Sequence, residues 1–134
     1  MATSGTVADN APVARSFDVR VARIYDSPDP ADGARVLVDR LWPRGLAKSA
    51  ASLDEWCKAV APSNDLRNWY RHDPDRFDEF VHRYLTELDD PERAAALDSL
   101  RDIHRRRTLT LLTATKATDI SHAAVLADLL TGRR

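Results

Sequence analysis

The chain has 134 residues and a formal net charge of −1, a length that allows one domain with its own hydrophobic core. A charge this close to neutral excludes a global attraction to nucleic acid or to an anionic membrane, so any basic surface must come from local clustering. Cys57 is the single cysteine, which excludes an intramolecular disulfide and a multi-cysteine zinc site and suits a reducing, cytoplasmic location.

The N-terminal segment is small and polar. Residues 1–16 lack the basic start and apolar middle of a secretory signal, so we predict a flexible tail followed by a single domain over residues 17–131. No apolar run approaches the roughly 20 residues needed to span a bilayer. We therefore predict no interaction with a membrane.

Two strands are predicted in the first third of the chain. Residues 17–23 alternate apolar and polar side chains, a pattern typical of a half-buried strand. Residues 35–40 form the second strand, because the Val-Leu-Val run at 36–38 is typical of a strand covered on both faces. Pro43 and Gly45 end this strand, since neither continues a hydrogen-bonded ladder.

Helix start signals follow. Ser52-Leu53-Asp54-Glu55 matches a capping box and predicts a helix that ends near Ala61. Ser63 can cap a second, short helix. Asp73-Pro74 and Asp90-Pro91 each combine an N-cap residue with proline at the first helical position, and apolar residues at helical spacing follow both.

The chain closes with a strand, a loop and a helix. Thr108–Ala114 is predicted as the third strand, and Ser121 begins a last helix that ends before Gly132. The order of strand, strand, four helices, strand and helix favours an α/β fold. We predict a single compact domain with a small, mainly parallel sheet flanked by helices.

Several segments form a specific combination of motifs. They are Val36–Leu46 (VLVDRLWPRGL), Leu53–Trp69 (LDEWCKAVAPSNDLRNW), His72–Pro74 (HDP) and Thr110–Leu126. Together they resemble the DUF488 family, in its short YeaO-like branch, over nearly the whole chain. The resemblance implies no established activity, since the family is uncharacterised.

The match to the family is incomplete before the last helix. Relatives often read Leu-Leu-Tyr-Ala-Ala-Lys-Asp and then Asn-His in this region. Lys116 and His122 match that pattern, whereas Thr113 and Ala117 replace the aromatic and the acidic residue. These replacements bear on the identity or affinity of any ligand that the family's residues recognise.

Two arginines bracket a tryptophan where the second predicted strand ends. Arg40 and Arg44 carry planar guanidinium groups suited to phosphate or carboxylate, and Trp42 could stack on a base or cover an arginine. Charged groups at the carboxyl end of a buried strand are typical of binding sites in α/β proteins. The alternative is that the arginines pair with Asp39 or Asp54 and that Trp42 only packs in the core.

Lys116 and His122 follow the third predicted strand. If the second and third strands are parallel neighbours, their loops open at the same edge of the sheet and bring these residues close to the two arginines. A helix N-terminus at His122 would add to an anion site and favour a neutral imidazole that can act as a base. The alternative is a histidine that only hydrogen-bonds a nearby backbone group.

Asp39 and His72 complete the candidate proton-transfer groups. Asp39 could act as an acid or a base, or could orient an arginine. His72 could titrate in the site, or could instead complement carbonyl groups at a helix end. No residues have the spacing of metal ligands, and no glycine-rich phosphate loop is present, so we predict no metal and no cofactor. Cys57 is predicted to be buried and unreactive.

These residues lead to two main hypotheses. In the first, the protein has an anion-binding pocket and acts on a small phosphorylated or nucleotide-like substrate. The two arginines and Trp42 would bind the substrate with help from Lys116, and His122 with Asp39 or His72 would transfer protons.

In the second hypothesis the protein is a non-catalytic module that binds nucleic acid or another protein. Nucleic acid is the less favoured partner, because the arginine cluster at residues 101–107 lacks the interleaved aromatics that stack on single strands. A third interpretation is that the arginines only stabilise the junction of strand and loop. The sequence makes no prediction of the oligomeric state.

Overall fold

The computed structural model describes residues 17–134, and the tail predicted over residues 1–16 lies outside the described residues. Its strands are β1 (Val19–Arg23), β2 (Ala34–Leu37), β3 (Glu55–Trp56) and β4 (Leu109–Thr113). They form one sheet in the order β1-β4-β2-β3, and every pairing is parallel. The predicted α/β class with a small parallel sheet is confirmed.

The helices begin close to where the sequence signals place them. They are α1 (Asn64–Tyr70), α2 (Phe77–Glu87), α3 (Pro91–Arg106) and α4 (His122–Leu130). Ser63, Asp90 and Ser121 each accept a hydrogen bond from a backbone amide in the first turn of the helix that follows, which satisfies a donor that the helix cannot satisfy itself. None of the helices in residues 17–134 is long and apolar enough to cross a bilayer.

The helix predicted from Ser52 to Ala61 is wrong. Glu55–Trp56 pair with β2 as a strand, and only a single 3-10 turn, Lys58–Val60, follows. The Arg35 amide donates to the Asp54 carboxylate over 2.9 Å, and the Asp54 amide donates back to the Arg35 carbonyl over 2.8 Å. These bonds hold the segment in an extended conformation against the sheet, so tertiary pairing outweighs the local propensity.

The sheet separates two apolar clusters of unequal size. The larger cluster contains buried side chains from the strands and from all the α-helices, with Phe80 and Tyr84 among its largest members. The smaller cluster lies around Ile24, Leu37 and Leu112 and is covered by side chains of loops and of β3. Every residue of β4 is buried, so the centre of the sheet is a rigid support for the loops at its edges.

The two central strands end side by side. Leu37 of β2 pairs with Leu112 of β4, and the Val38 amide extends the ladder by donating to the Leu112 carbonyl over 3.0 Å. Because the strands are parallel neighbours, the loops after both of them open at the same edge. The predicted site required the second and third predicted strands to be parallel neighbours, and β2 and β4 are.

Candidate functional site

A cavity of about 490 Å³ opens at this carboxyl-terminal edge of the sheet. Its wall includes six of the seven residues proposed from the sequence: Asp39, Arg40, Trp42, Arg44, His72 and His122. The remaining candidate, Lys116, is exposed and does not line the cavity. The loops after β2 and β4, the end of α1 and the start of α4 thus converge on one space.

Asp39 is held in place by the end of the neighbouring strand. The Thr113 hydroxyl donates to one carboxylate oxygen over 2.7 Å, and the Ala114 amide donates to the other over 2.8 Å. The Asp39 carbonyl accepts a bond of 2.7 Å from the Trp56 indole. The carboxylate therefore links the ends of β2 and β4, and neither Arg40 nor Arg44 pairs with it.

His122 is the first residue of α4, and its ring is fixed against β2. Its Nε2 lies 3.0 Å from the Val38 carbonyl and 3.5 Å from Oδ1 of Asp39. A carbonyl can only accept, so Nε2 carries the proton. In the part of the chain that the structure describes, Nδ1 has no hydrogen-bond partner.

The environment of His122 favours the neutral form of its ring. Burial is the largest cause and lowers its pKa, and the Asp39 carboxylate and the Val38 carbonyl only partly oppose that shift. The helix N-terminus was expected to lower this pKa, whereas burial is the main cause of the shift.

His72 sits in an unusual backbone conformation at the end of α1. Arg71 and His72 have φ angles of 51° and 56°, in the left-handed region that residues with a side chain rarely adopt. The His72 ring lies 5.9 Å from that of Tyr70, and its Nδ1 lies 3.2 Å from the Thr115 hydroxyl. His72 thus connects α1 to the loop after β4, and within residues 17–134 its ring forms no hydrogen bond to a helix carbonyl.

The cavity wall carries more positive than negative charge. Arg40 and Arg44 are exposed and form no ion pair with any described residue, and the wall also includes Arg67 of α1. The predicted alternative of pairing with Asp54 is not seen, since the Arg35 amide occupies that carboxylate. Three arginines therefore face a single carboxylate that is already hydrogen-bonded.

Arg67 was missed by the sequence analysis. It lies in the Leu53–Trp69 segment that carries the family resemblance, and one helical turn before Tyr70, which also lines the cavity. Residues three apart share a helix face, so the position of Tyr70 on the wall brings Arg67 toward the same space. Without a predicted orientation of α1, that spacing alone did not point to the site.

Trp42 has a structural role in addition to its place on the wall. Its ring meets Trp56 edge-on with centroids 5.3 Å apart, and its indole donates to the Leu46 carbonyl over 2.7 Å. The ring packs against the smaller apolar cluster, and the bond to Leu46 closes the turn that contains Arg44. Trp42 therefore packs in the core, which is the role that the alternative interpretation gave it, and it also lines the cavity.

Other reactive groups lie away from the cavity. Burial and the nearby Glu55 carboxylate raise the pKa of the Cys57 thiol to about 11, so the thiol stays protonated at neutral pH. Cys57 is buried and is not part of the cavity wall. Within residues 17–134, no group of three or more His, Cys, Asp or Glu side chains is placed to hold a metal ion.

The chain is similar to bacterial proteins along most of its length. It is 55% identical over 119 residues to the uncharacterized proteins Rv3073c of Mycobacterium tuberculosis and Mb3100c of Mycobacterium bovis, a match that covers 89% of this chain and 98% of each relative. It is 42% identical over 114 residues to the uncharacterized protein YeaO of Escherichia coli, covering 85% of this chain and 97% of YeaO. No solved structure matches it.

A family model places these similarities in one group. The model of DUF488-N3i, described as an inactive DUF488-N3 subclade, matches residues 18–133. The chain therefore belongs to the DUF488-N3i family, which confirms the DUF488, YeaO-like resemblance of its motifs.

Proposed function

We propose that this protein binds a small anion, bearing a phosphate or carboxylate group, in the cavity of about 490 Å³. The observation that carries the proposal is that three arginines, Arg40, Arg44 and Arg67, line this cavity without an ion-pair partner among the described residues. A bound anion would supply the negative charge that the described residues do not offer to these arginines. Guanidinium groups also match the geometry of phosphate and carboxylate oxygens.

The size and the mixed wall of the cavity support an organic ligand. A volume of this order is typical of small-molecule sites, which combine apolar walls with a few polar groups. Leu41 and Trp42 supply apolar surface beside the arginines. A phosphorylated or nucleotide-like molecule would use both kinds of surface, with its anionic group at the arginines.

Binding without turnover is the form of the proposal that we favour. The family is described as inactive. The Tyr70 hydroxyl donates to a main-chain carbonyl, which is not a base, and the Cys57 thiol lies outside the cavity wall. The hydroxyls of Thr113 and Thr115 contact Asp39 and His72, so a reaction through a hydroxyl would have to use one of these two pairs.

Catalysis is the second candidate, and the state of His122 favours it. A neutral imidazole with Nδ1 unengaged, in a ring that lines the cavity, has the protonation state of a general base. Asp39 would then orient the ring, and His72 would be the further titratable group. The assisting role of Lys116 stays a prediction, since its side chain would have to reach in from the surface.

Thermal unfolding of wild type, Arg44→Ala and Arg133→Ala with a panel of anions tests the proposal. The panel contains inorganic phosphate, nucleoside monophosphates, small carboxylates and a short DNA strand. Arg133 is exposed and lies outside the cavity wall, so it controls for the loss of one surface charge. A ligand at 100 times its Kd adds about 2.7 kcal/mol to stability, which raises the Tm by several degrees.

Each outcome has a defined meaning. A shift with a small anion that Arg44→Ala reduces and Arg133→Ala preserves supports the pocket. A salt-sensitive shift with DNA alone supports the nucleic-acid module instead. No shift with any anion, together with a less stable Arg44→Ala, assigns the arginines to the fold. If a binding anion is also consumed, and His122→Gln stops that reaction, the protein is an enzyme.

A further inference from the structure

Tyr25 is an exposed tyrosine that touches the arginine loop from outside the cavity. Its side chain is among the few large apolar groups left on the surface, with 43% of the residue exposed. The hydroxyl donates a hydrogen bond of 2.9 Å to the main-chain carbonyl of Arg44. Core packing does not explain an aromatic ring at this place, so the contact with the loop becomes its main structural feature.

The ring of Tyr25 is itself held by a residue of the sheet. The Arg23 guanidinium, at the end of β1, lies 5.0 Å from the ring centroid, in the geometry of a cation–π contact. The same guanidinium donates to the Ala114 carbonyl over 3.3 Å, and the Ala114 amide donates to Asp39. The tyrosine is therefore connected to the rigid end of β4 and to the carboxylate of the site.

Arg44 lies at the exposed part of a tight turn. Arg44 lies between Pro43 and Gly45, and Gly45 has a φ angle of 77°. The Leu46 amide donates to Pro43 over 3.3 Å, and the Trp42 indole donates to Leu46, so the ends of this turn are tied together. The bond from Tyr25 is the one hydrogen bond to the Arg44 main chain among the described residues.

We propose that Tyr25 is a positioning residue that fixes the Arg44 main chain so that its guanidinium is ready to meet the anion. The inference rests on the proposed function. A loop that is ordered before binding loses less entropy when the ligand arrives. Tyr25 would thus contribute to affinity without touching the ligand.

The hydroxyl can be removed without disturbing the ring. Tyr25→Phe keeps the aromatic surface under Arg23 and deletes only the bond to the Arg44 carbonyl. Thr86→Val is a matched control, because it removes another exposed hydroxyl that donates to a carbonyl, on α2 and outside the cavity wall. Calorimetric titration with inorganic phosphate then gives a Kd for each variant.

Tyr25→Phe should weaken phosphate binding only when Arg44 is present. We expect Tyr25→Phe to weaken phosphate binding roughly three- to tenfold, the equivalent of one neutral hydrogen bond, and Thr86→Val to leave it unchanged. In an Arg44→Ala background, Tyr25→Phe should have no further effect, because the residue through which it acts is gone. An equal loss in both backgrounds, or no loss in either, would overturn the inference.

A measurement without ligand separates this inference from the proposed function. The heteronuclear ¹H–¹⁵N NOE of the Arg44 amide reports its motion on the ps–ns timescale. It should fall in Tyr25→Phe and stay at the wild-type value in Thr86→Val. A wild type that binds neither phosphate nor any other anion of the panel contradicts the anion pocket, whereas an unchanged NOE in Tyr25→Phe contradicts the positioning role even when an anion binds.

Discussion

His122 should make the folded protein lose stability under mildly acidic conditions. Burial lowers the pKa of this imidazole in the folded state, whereas in the unfolded chain it titrates near the ordinary value of about 6.5. As the pH falls below that value, the unfolded chain takes up a proton that the folded protein does not. Unfolding is therefore favoured increasingly as the solution is acidified.

The size of the effect has an upper limit. If the folded ring stays neutral throughout, acidification from pH 7 to pH 5 lowers the free energy of unfolding by at most about 1.9 kcal/mol. Asp32 affects stability at a lower pH than His122 does. Burial raises the pKa of its carboxyl, but the Asp29 amide and Arg35 lower that pKa overall, so its contribution to the free energy of unfolding is lost only as the pH falls below the range of an ordinary carboxyl.

Urea unfolding at pH 7, 6 and 5 measures this loss directly. His122→Gln keeps an amide donor for the Val38 carbonyl and does not titrate, so this variant should show a smaller fall between pH 7 and pH 5. His82→Gln, which changes an exposed histidine on α2, should follow the wild type. A wild type that is equally stable at pH 7 and pH 5, or a His122→Gln variant with the full wild-type fall, would refute the reasoning.

Two further predictions concern the scaffold. Gly33→Ala should destabilise the protein by roughly 2–5 kcal/mol, because φ is 64° there and a Cβ would lie 2.2 Å from the Thr108 carbonyl oxygen. Gly45→Ala, with open space around a φ of 77°, should cost only about 1 kcal/mol in the same urea titration. Comparable losses would contradict the role of the close contact. Tyr84→Phe should cost about 1–3 kcal/mol, because the buried main-chain carbonyl of Val60 loses the hydrogen bond of 2.6 Å that the Tyr84 hydroxyl donates to it. An unchanged midpoint of urea unfolding would contradict a stabilising role of this bond.

The sequence predicted a helix start correctly where the interacting residues lie close together in the chain. Asp90-Pro91 and Ser121 start helices because the cap and the first turn are a few residues apart, so the sequence contains both partners. The capping box at Ser52 failed because its residues bond to Arg35, which is distant in the sequence. A local pattern cannot reveal a competing partner that only the fold supplies.

The residues of the candidate site also divide into those that a local pattern predicts and those that only the fold brings together. Arg40, Arg44 and His122 could be named because each follows a recognisable strand or begins a recognisable helix. Arg67 could not, since its place on the wall depends on how α1 packs against the sheet. The hydrogen bond from Tyr25 to Arg44 could not be predicted either, because it joins two loops across the surface.

The position of β4 in the sheet has a consequence for how the chain folds. Leu109–Thr113 lie between β1 and β2, so these two earlier strands have no direct pairing with each other. β4, the strand that joins β1 to β2, is synthesised after both of them and after three helices. Such long-range closure slows folding. We expect the described sheet to be completed only once β4 is available, and until then β1 leaves strand residues unpaired that a chaperone could bind.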